Sequence, residues 1–359
     1  MLRSRTAFVT FFPVEPDAMG SSGVVNSRFV SWPDKKKIFQ ISHINKIKTK
    51  NIETIFISKE KALLKILKLP ELIIKIFKYL KKSKKKILII EGASWVFYSF
   101  IVMFFFKFFL QKVKIIYISH SIESEIRKKY SNKLIFIITK FLENLVFRYS
   151  DLCTSVSEKE KKKISKLYKT DAVLLPNGIR LFKFKKKKIN INYIIYTGSY
   201  LYKPNKEAID FLNKSIMPEL IKKIPNLKLI LTGGGFNKKY PWLINKNIVS
   251  KNELYNLLLN SNCLCVPLRF GSGTRIKIIE ALCLGVVVIS TKKGIEGINL
   301  KELNPPFIVE RNKKILNSLI YIIKKNLKLK RKSLSNKKYY LKKYSMKNIT
   351  NKFINENKI

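Results

Sequence analysis

The stretch Pro267-Leu-Arg-Phe-Gly-Ser-Gly-Thr-Arg-Ile-Lys-Ile-Ile-Glu-Ala-Leu-Cys-Leu-Gly285 decides the reading of this chain. A strand ends, Gly271 and Gly273 turn the backbone, and a helix is expected from near Thr274. Amides at the start of such a helix have no intrahelical partners, and the helix dipole favours an anion beside them. The two glycines let the backbone approach a ligand closely, which is a phosphate-binding geometry. Arg275 and Lys277 fall in the expected first turn and add positive charge. Glu280, three residues after Lys277, is a carboxylate able to accept the hydroxyls of a ribose. A glycine turn before a helix is also a common structural device, so both readings stay open on this segment alone.

The flanking sequence repeats the alternation of strand and helix. In the second half, Tyr193 to Tyr196 reads as a strand ending at Gly198, and Leu227 to Leu231 as a strand ending at Gly233-Gly-Gly235. Cys263 to Pro267 and Val286 to Ser290 are further strands. Helices are expected over 205–224, with Pro218 marking a kink, over 253–259 and over 274–284. Eight of the 13 glycines lie between Gly233 and Gly297, so close-approach loops concentrate here. In the first half, strands are expected at Ala7 to Phe12, Lys37 to Ser42, Glu53 to Ser58, Lys86 to Ile90, Val113 to Ser119, Asp151 to Val156 and Ala172 to Leu175. Helices are expected over 61–81, broken or kinked at Pro70, and over 95–110, 135–149 and 158–169, the last started by Ser157 as N-cap. Pro13 to Arg28, with Gly20 and Gly23, reads as a loop. Residues 181–190, carrying Lys185 to Lys188, read as a linker. Strand–helix alternation on both sides of a linker predicts an α/β chain of two doubly wound parallel-sheet domains. At roughly 150 residues per domain, the 359 residues also suggest about two.

Composition narrows the function classes. Lys and Arg number 73 against 23 Asp and Glu, a formal net charge of +50. The hydrophobic share of 46% excludes a disordered polycation. The basic residues form short separate runs, such as Lys81 to Lys86, and no nucleic-acid motif accompanies them, so no nucleic-acid partner is expected. Lysine drift at solvated positions and attraction to an anionic membrane surface remain as readings of the excess. Cys153, Cys263, Cys265 and Cys283 lie in apolar surroundings without metal-ligand spacing and read as buried thiols in a reducing cytosol. The most apolar segment, 95–110, would span about 24 Å as a helix at roughly 1.5 Å per residue. A bilayer core needs about 30 Å. It therefore reads as a helix packed on a sheet or dipping into a membrane surface, not as a span.

The 267–285 segment resembles the donor-domain signature of glycosyltransferase family 4, the retaining GT-B enzymes. It is closest to the branch with Gly-x-Gly-Thr-Arg-x-Lys-x-x-Glu-Ala-x-x-x-Gly. Three more stretches are similar in order: Ser155 to Pro176-Asn-Gly178, Tyr196 to Asn205, and Tyr344 to Ile349. The similarity spans about residues 110 to 350; the first 90 residues match only in pattern. The sequence departs from the broader family at two points. The first of its paired glutamates falls on Ser272, and its usual Arg after the opening donor-domain glycine is Ser199.

The resemblance implies a GT-B fold, two Rossmann-like domains facing across a cleft. Its domains are 1–180 on the acceptor side, 191–340 on the donor side, and a helix over 341–359 crossing back to the first domain. It implies a retaining hexosyltransferase-type enzyme moving a sugar from a nucleotide-diphosphate-sugar to a hydroxyl of a glycan or lipid-linked acceptor. Surface polysaccharide synthesis on the cytoplasmic side, with peripheral contact to the inner membrane face, is the setting it suggests. No cofactor or metal is expected, the nucleotide-sugar being a substrate. Arg275 and Lys277 are expected to act catalytically on the diphosphate. His120, in Ile118-Ser-His-Ser-Ile-Glu123, is expected to contact the donor sugar or the acceptor hydroxyl. Glu123 in the same segment reads either as a further site contact or only as a cap for the following helix. Gly23, Gly198, Ser199, Gly233, Gly234, Gly271, Ser272, Gly273, Thr274 and Glu280 are the expected donor-binding residues. A GT-B epimerase or hydrolase, and a non-catalytic basic binding protein, are the alternative readings.

Overall fold

The computed structural model describes all residues except 1–3, 16–19, 45–48, 111, 182–183, 272–273, 299, 301–306 and 311–312, and the side chains of 21, 129 and 130. The expected donor-binding residues Ser272 and Gly273 lie outside the described residues. The chain divides into two compact units. One contains Met1–Asn177 and Ile349–Ile359, the other Gly178–Asn348.

In the first unit, strands β1 (Arg5–Thr10), β2 (Lys35–Ser42), β3 (Ile52–Phe56), β4 (Lys86–Gly92), β5 (Val113–Ser119), β6 (Leu152–Ser155) and β7 (Val173–Leu174) form a parallel sheet. Their order is β3-β2-β1-β4-β5-β6-β7, which reverses direction between β1 and β4. Helices α1 (Gly20–Ser31), α2 (Ala62–Leu80), α3 (Val96–Phe109), α4 (Glu123–Tyr130), α5 (Lys133–Tyr149) and α6 (Glu158–Tyr168) connect them. Alternate residues of β1 enter opposite cores: Ala7 and Val9 pack with α2, α3 and α5, and Phe8 packs with α1. Near-continuous burial of β4 follows from having helices on both faces.

In the second unit, β8 (Tyr193–Thr197), β9 (Lys228–Thr232), β10 (Leu243–Asn245), β11 (Leu264–Val266), β12 (Val288–Ser290) and β13 (Phe307–Ile308) form a second parallel sheet. Its order is β10-β9-β8-β11-β12-β13, with the reversal between β8 and β11. Helices α7 (Lys203–Phe211), α8 (Met217–Lys223), α9 (Lys251–Asn260), α10 (Ile276–Leu284), α11 (Lys313–Lys324) and α12 (Asn326–Tyr344) surround it. The final helix, α13 (Met346–Glu356), carries Phe353 into the core of the first unit. Residues 185–189 are strapped along α9 by two asparagines one turn apart. Asn256 bonds Lys185 O and Lys187 N, and Asn260 bonds Lys187 O and Ile189 N.

Four local expectations need correction. The loop expected over 13–28 gives way to α1 from Gly20, because Val24, Val25 and Phe29 bury one helical face; Gly23 therefore lies in a helical turn. α2 runs unbroken through Pro70, with Leu69, Leu72, Ile73 and Ile76 buried around it. That burial outweighs the single backbone hydrogen bond the proline removes. The helix expected over 205–224 is interrupted by a π-helical stretch, Leu212–Ile216, just before Pro218. α10 begins at Ile276, two residues later than expected, so Arg275 occupies its N-cap position.

Buried carboxylates cap helices in the first unit. Glu143 of α5 accepts from the amides of Glu123 and Ser124 at the start of α4 and from the Tyr168 hydroxyl at 2.5 Å. Glu123 does not cap its own helix as expected. Its Oε2 accepts from Val96 N, at 2.6 Å, and so caps α3. Burial pushes the Glu123 carboxyl up to about 7 against the pull of Arg127. Removing Glu143 leaves the buried Glu123 and Ser124 amides without an acceptor and the Tyr168 hydroxyl with Ser124 Oγ alone. Glu143→Ala is expected to cost about 2–4 kcal/mol in denaturant unfolding, whereas Tyr168→Phe, which removes one donor, is expected to cost less.

Candidate active site

Ligands of open α/β sheets sit outside the carboxyl ends of the strands, where the strand order reverses. In the second unit that point lies between β8 and β11. Three loops reach it, after β8, β9 and β11. The first two are joined by backbone bonds: Gly198 N donates to Thr232 O at 2.8 Å, and Tyr200 N to Gly234 O at 3.0 Å. Gly233 adopts φ +118° and lies against the Gly198 backbone. A Cβ on Gly233 would come within 2.4 Å of Gly198 C, which no side chain survives. Ser199 offers its carbonyl to Asn205 Nδ2 at 2.9 Å.

Lys277, in the first turn of α10, points back to the β8 loop. Its Nζ lies 3.0 Å from Asn205 Oδ1 and 4.3 Å from the centroid of the Tyr196 ring. The Tyr196 hydroxyl donates to the same Asn205 oxygen at 2.7 Å. A Cβ on Gly198 would meet Lys277 Nζ at 2.7 Å, so glycine there makes room for the ammonium. Burial, then the charge of Arg275, lower the Lys277 ammonium to about 7. Arg275 is 9% exposed, and burial lowers its guanidinium as well. Its Nη2 packs over Gly271, 2.7 Å from where a Cβ would stand. The charges of Arg275, buried, and Lys277, half-buried, oppose one another, with no carboxylate bonded to Lys277 among the described residues, and an anion would relieve that repulsion.

The sheet reversal thus gathers Gly198, Ser199, Gly233, Gly234, Gly271, Arg275 and Lys277 around one point. Thr274, half-buried, immediately precedes the Arg275 cap. Glu280 sits one turn beyond Lys277 on α10 and is 6% exposed. Burial raises its carboxyl against the opposing charge of Lys251, and it has no hydrogen-bond partner among the described residues. Gly23 lies in α1 of the first unit.

His120 follows β5 in the first unit, and its Nε2 lies 2.6 Å from Glu91 Oε2. Glu91, at the end of β4, and Arg28 of α1 are both 0% exposed, and Arg28 Nη1 lies 2.6 Å from each Glu91 oxygen. Glu91, Arg28, Asn205 and Tyr196 were not expected from sequence as site residues. Glu91-Gly92 directly after an apolar strand was the available signal for the first, since a charge there sits at the carboxyl edge.

Lys277 predicts a pH dependence. Unfolded, it stays protonated to about 10.4; folded, it loses its proton near 7. The unfolded state binds more protons between those values, so stability rises with pH there. Wild type is expected to gain more than about 1 kcal/mol on Lys277→Met from neutral to alkaline pH, as read by paired thermal melts. Parallel curves would contradict the weakened ammonium.

Known proteins resemble both units. Residues 191–324 match the family model of Glycosyl transferases group 1. An uncharacterized 44.6 kDa protein in the cps region of Klebsiella pneumoniae is 27% identical over 46% of this chain; the match spans about half, 47%, of that relative's length. Among solved structures, sucrose-phosphate synthase from Thermosynechococcus elongatus is similar with a TM-score of 0.74 at 12% identity, covering 99% of this chain and 98% of that one. HepE from Anabaena, in complex with UDP and glucose, gives 0.66 at 11% identity over 99% of both chains. WaaG, a glycosyltransferase involved in lipopolysaccharide biosynthesis, gives 0.63 at 12% identity over 95% of this chain and 97% of that one. At such identities the likeness defines the fold: two parallel-sheet, Rossmann-like α/β domains of the GT-B type.

Proposed function

We infer that this chain is a glycosyltransferase that takes a sugar from a nucleotide-diphosphate-sugar and transfers it, with retention, to a hydroxyl acceptor. The observation that carries the reading is the pair of adjacent cations, buried Arg275 and half-buried Lys277, at the amino end of α10, on the three-loop junction of a domain matching Glycosyl transferases group 1. As the bond between the sugar and the diphosphate breaks, negative charge grows on the leaving diphosphate. Preorganised cations and helix amides stabilise that charge more than they stabilise the bound donor, which lowers the barrier. In this reading Arg275 and Lys277 supply the charge that a bound divalent cation supplies in other enzymes. Glu280, buried and unbonded, is suited to accept hydroxyls of the donor. His120 is carried over from the family resemblance as the contact to the donor sugar or the acceptor hydroxyl. A UDP-containing neighbour supports a nucleoside-diphosphate donor. A relative from a cps region and a neighbour in lipopolysaccharide biosynthesis support a surface polysaccharide or lipid-linked acceptor, met on the cytoplasmic side of the membrane.

A membrane-facing surface fits that acceptor. No described helix is long and apolar enough to cross a bilayer. Leu134, Ile137, Ile138 and Phe141 nevertheless form an exposed stripe on α5 at helical spacing. On α3, which packs beside α5, Phe104 and Phe108 are exposed and their rings contact each other at 4.6 Å. Lys133 and Lys140 are exposed on α5, and Lys107 of α3 is paired with Asp151 at 2.5 Å. Apolar side chains ringed by lysine suit shallow insertion into an anionic leaflet.

Arg275→Ala and Lys277→Ala are each expected to lower transfer by about a hundredfold or more, with circular dichroism unchanged. Full activity in both would end the assignment. Co-sedimentation with anionic vesicles is expected to weaken as salt rises and to be lost in Ile137→Ser/Phe141→Ser. Binding insensitive to salt and to that change would exclude this surface.

A further inference from the structure

The strand order of the first unit reverses between β1 and β4, so the carboxyl end of β4 is where that unit would meet a ligand. Glu91 stands there, yet it is 0% exposed and cannot itself face one. What it touches is His120, through Nε2 at 2.6 Å, and Arg28, through Nη1 at 2.6 Å from both oxygens. Burial alone would raise this carboxyl. The Arg28 charge and the His120 hydrogen bond overcome it and hold Glu91 below the ordinary carboxylate range. An ionised carboxylate can only accept hydrogen bonds. The hydrogen at a nitrogen 2.6 Å from it therefore belongs to the imidazole. Arg28 and His120 are the charged or titratable groups acting on Glu91 from α1 and from the β5 loop. The His120 side chain keeps 9% of its surface exposed, and Nδ1 has no hydrogen-bond partner among the described residues.

We propose that Glu91, clamped by Arg28, is a positioning residue that holds His120 with its hydrogen on Nε2 and leaves Nδ1 as the nitrogen presented to a substrate hydroxyl. A neutral imidazole in water exchanges between tautomers, so a free His120 would present the wrong nitrogen part of the time. A carboxylate on one nitrogen selects the other for chemistry, and it does so before any substrate arrives. Arg28 keeps that carboxylate ionised inside the core, where an unpaired charge would not persist. Of the groups involved, only His120 is positioned to touch substrate; Glu91 and Arg28 act through it. The part of this inference that concerns a substrate rests on the glycosyltransferase reading. The tautomer does not.

The chain has only two histidines, His43 and His120, so imidazole nitrogen spectra of the full-length protein contain two ring systems. Nitrogen–proton correlation spectra at neutral to mildly alkaline pH are expected to show His120 with a protonated-type Nε2 and a bare Nδ1; His120→Gln assigns the signals. Glu91→Gln alone strands the buried Arg28 and threatens folding, so the informative variant is Arg28→Met/Glu91→Gln, which removes both charges together. There His120 is expected to show both tautomers. Wild-type His120 protonated on Nδ1, or an unchanged tautomer in the double variant, would overturn the clamp. With a donor that the enzyme turns over, the double variant is expected to lose kcat by about tenfold or more at nearly constant KM. An unchanged kcat would refute the positioning role while leaving the glycosyltransferase reading intact. Loss of binding and turnover only in the Lys277 and Arg275 variants bears on that reading instead.

Discussion

The contact between the backbones of Gly233 and Gly198 sets the geometry of the candidate site. Neither residue has a side chain, so the loops after two neighbouring strands close on each other and leave the junction open toward α10. The room above Gly198 is taken by the Lys277 ammonium, which bonds Asn205 and lies over the Tyr196 ring. The cation is thus part of the packing, held before any ligand arrives. Preorganisation of this kind is what electrostatic catalysis requires, because charges already in place cost no reorganisation during the reaction.

The two units use the same strand reversal for different local solutions. In the second, glycines make room for Arg275 and Lys277 at the junction. In the first, the charge at the reversal is neutralised internally: Glu91 pairs with Arg28 Nη1 and holds a histidine. Electrostatics at both places depends on a handful of buried groups. The large surplus of lysine lies elsewhere, as at Lys185 to Lys188, which are exposed. Exposed charge of this sort is screened by salt and contributes to colloidal behaviour and surface attraction more than to chemistry.

Much of the fold was legible because a parallel strand buried on both faces leaves an apolar run followed by a turn, and most strands carry that mark. Lys86 to Ile90 and Val113 to Ser119 are examples. The glycine turns of the second unit were legible for the same reason, since Gly198 and Gly233 each follow an apolar strand. Helix starts were less so. Gly20 to Ser31 looks like a loop by residue type, and becomes a helix only because Val24, Val25 and Phe29 find a core to enter. Pro70 was expected to break α2, and tertiary burial overrode it. Partners distant in sequence were not legible at all. Nothing local links Arg28 with Glu91 across 63 positions, or Asn205 with Lys277 across 72. Glu123 shows the same limit in a short segment, where the helix it caps precedes it in the chain.

Binding of a nucleoside diphosphate at the junction of β8, β9 and α10 is the central claim. A thermal-shift screen of the full chain against nucleoside diphosphates and their sugars tests it without knowledge of the acceptor. A ligand at about a hundred times its dissociation constant adds close to 2.7 kcal/mol of apparent stability. At least one diphosphate is expected to raise the melting temperature by several degrees, with the free nucleoside giving no such shift. No shift from any member of the panel, or equal shifts from nucleoside and diphosphate, would contradict the account.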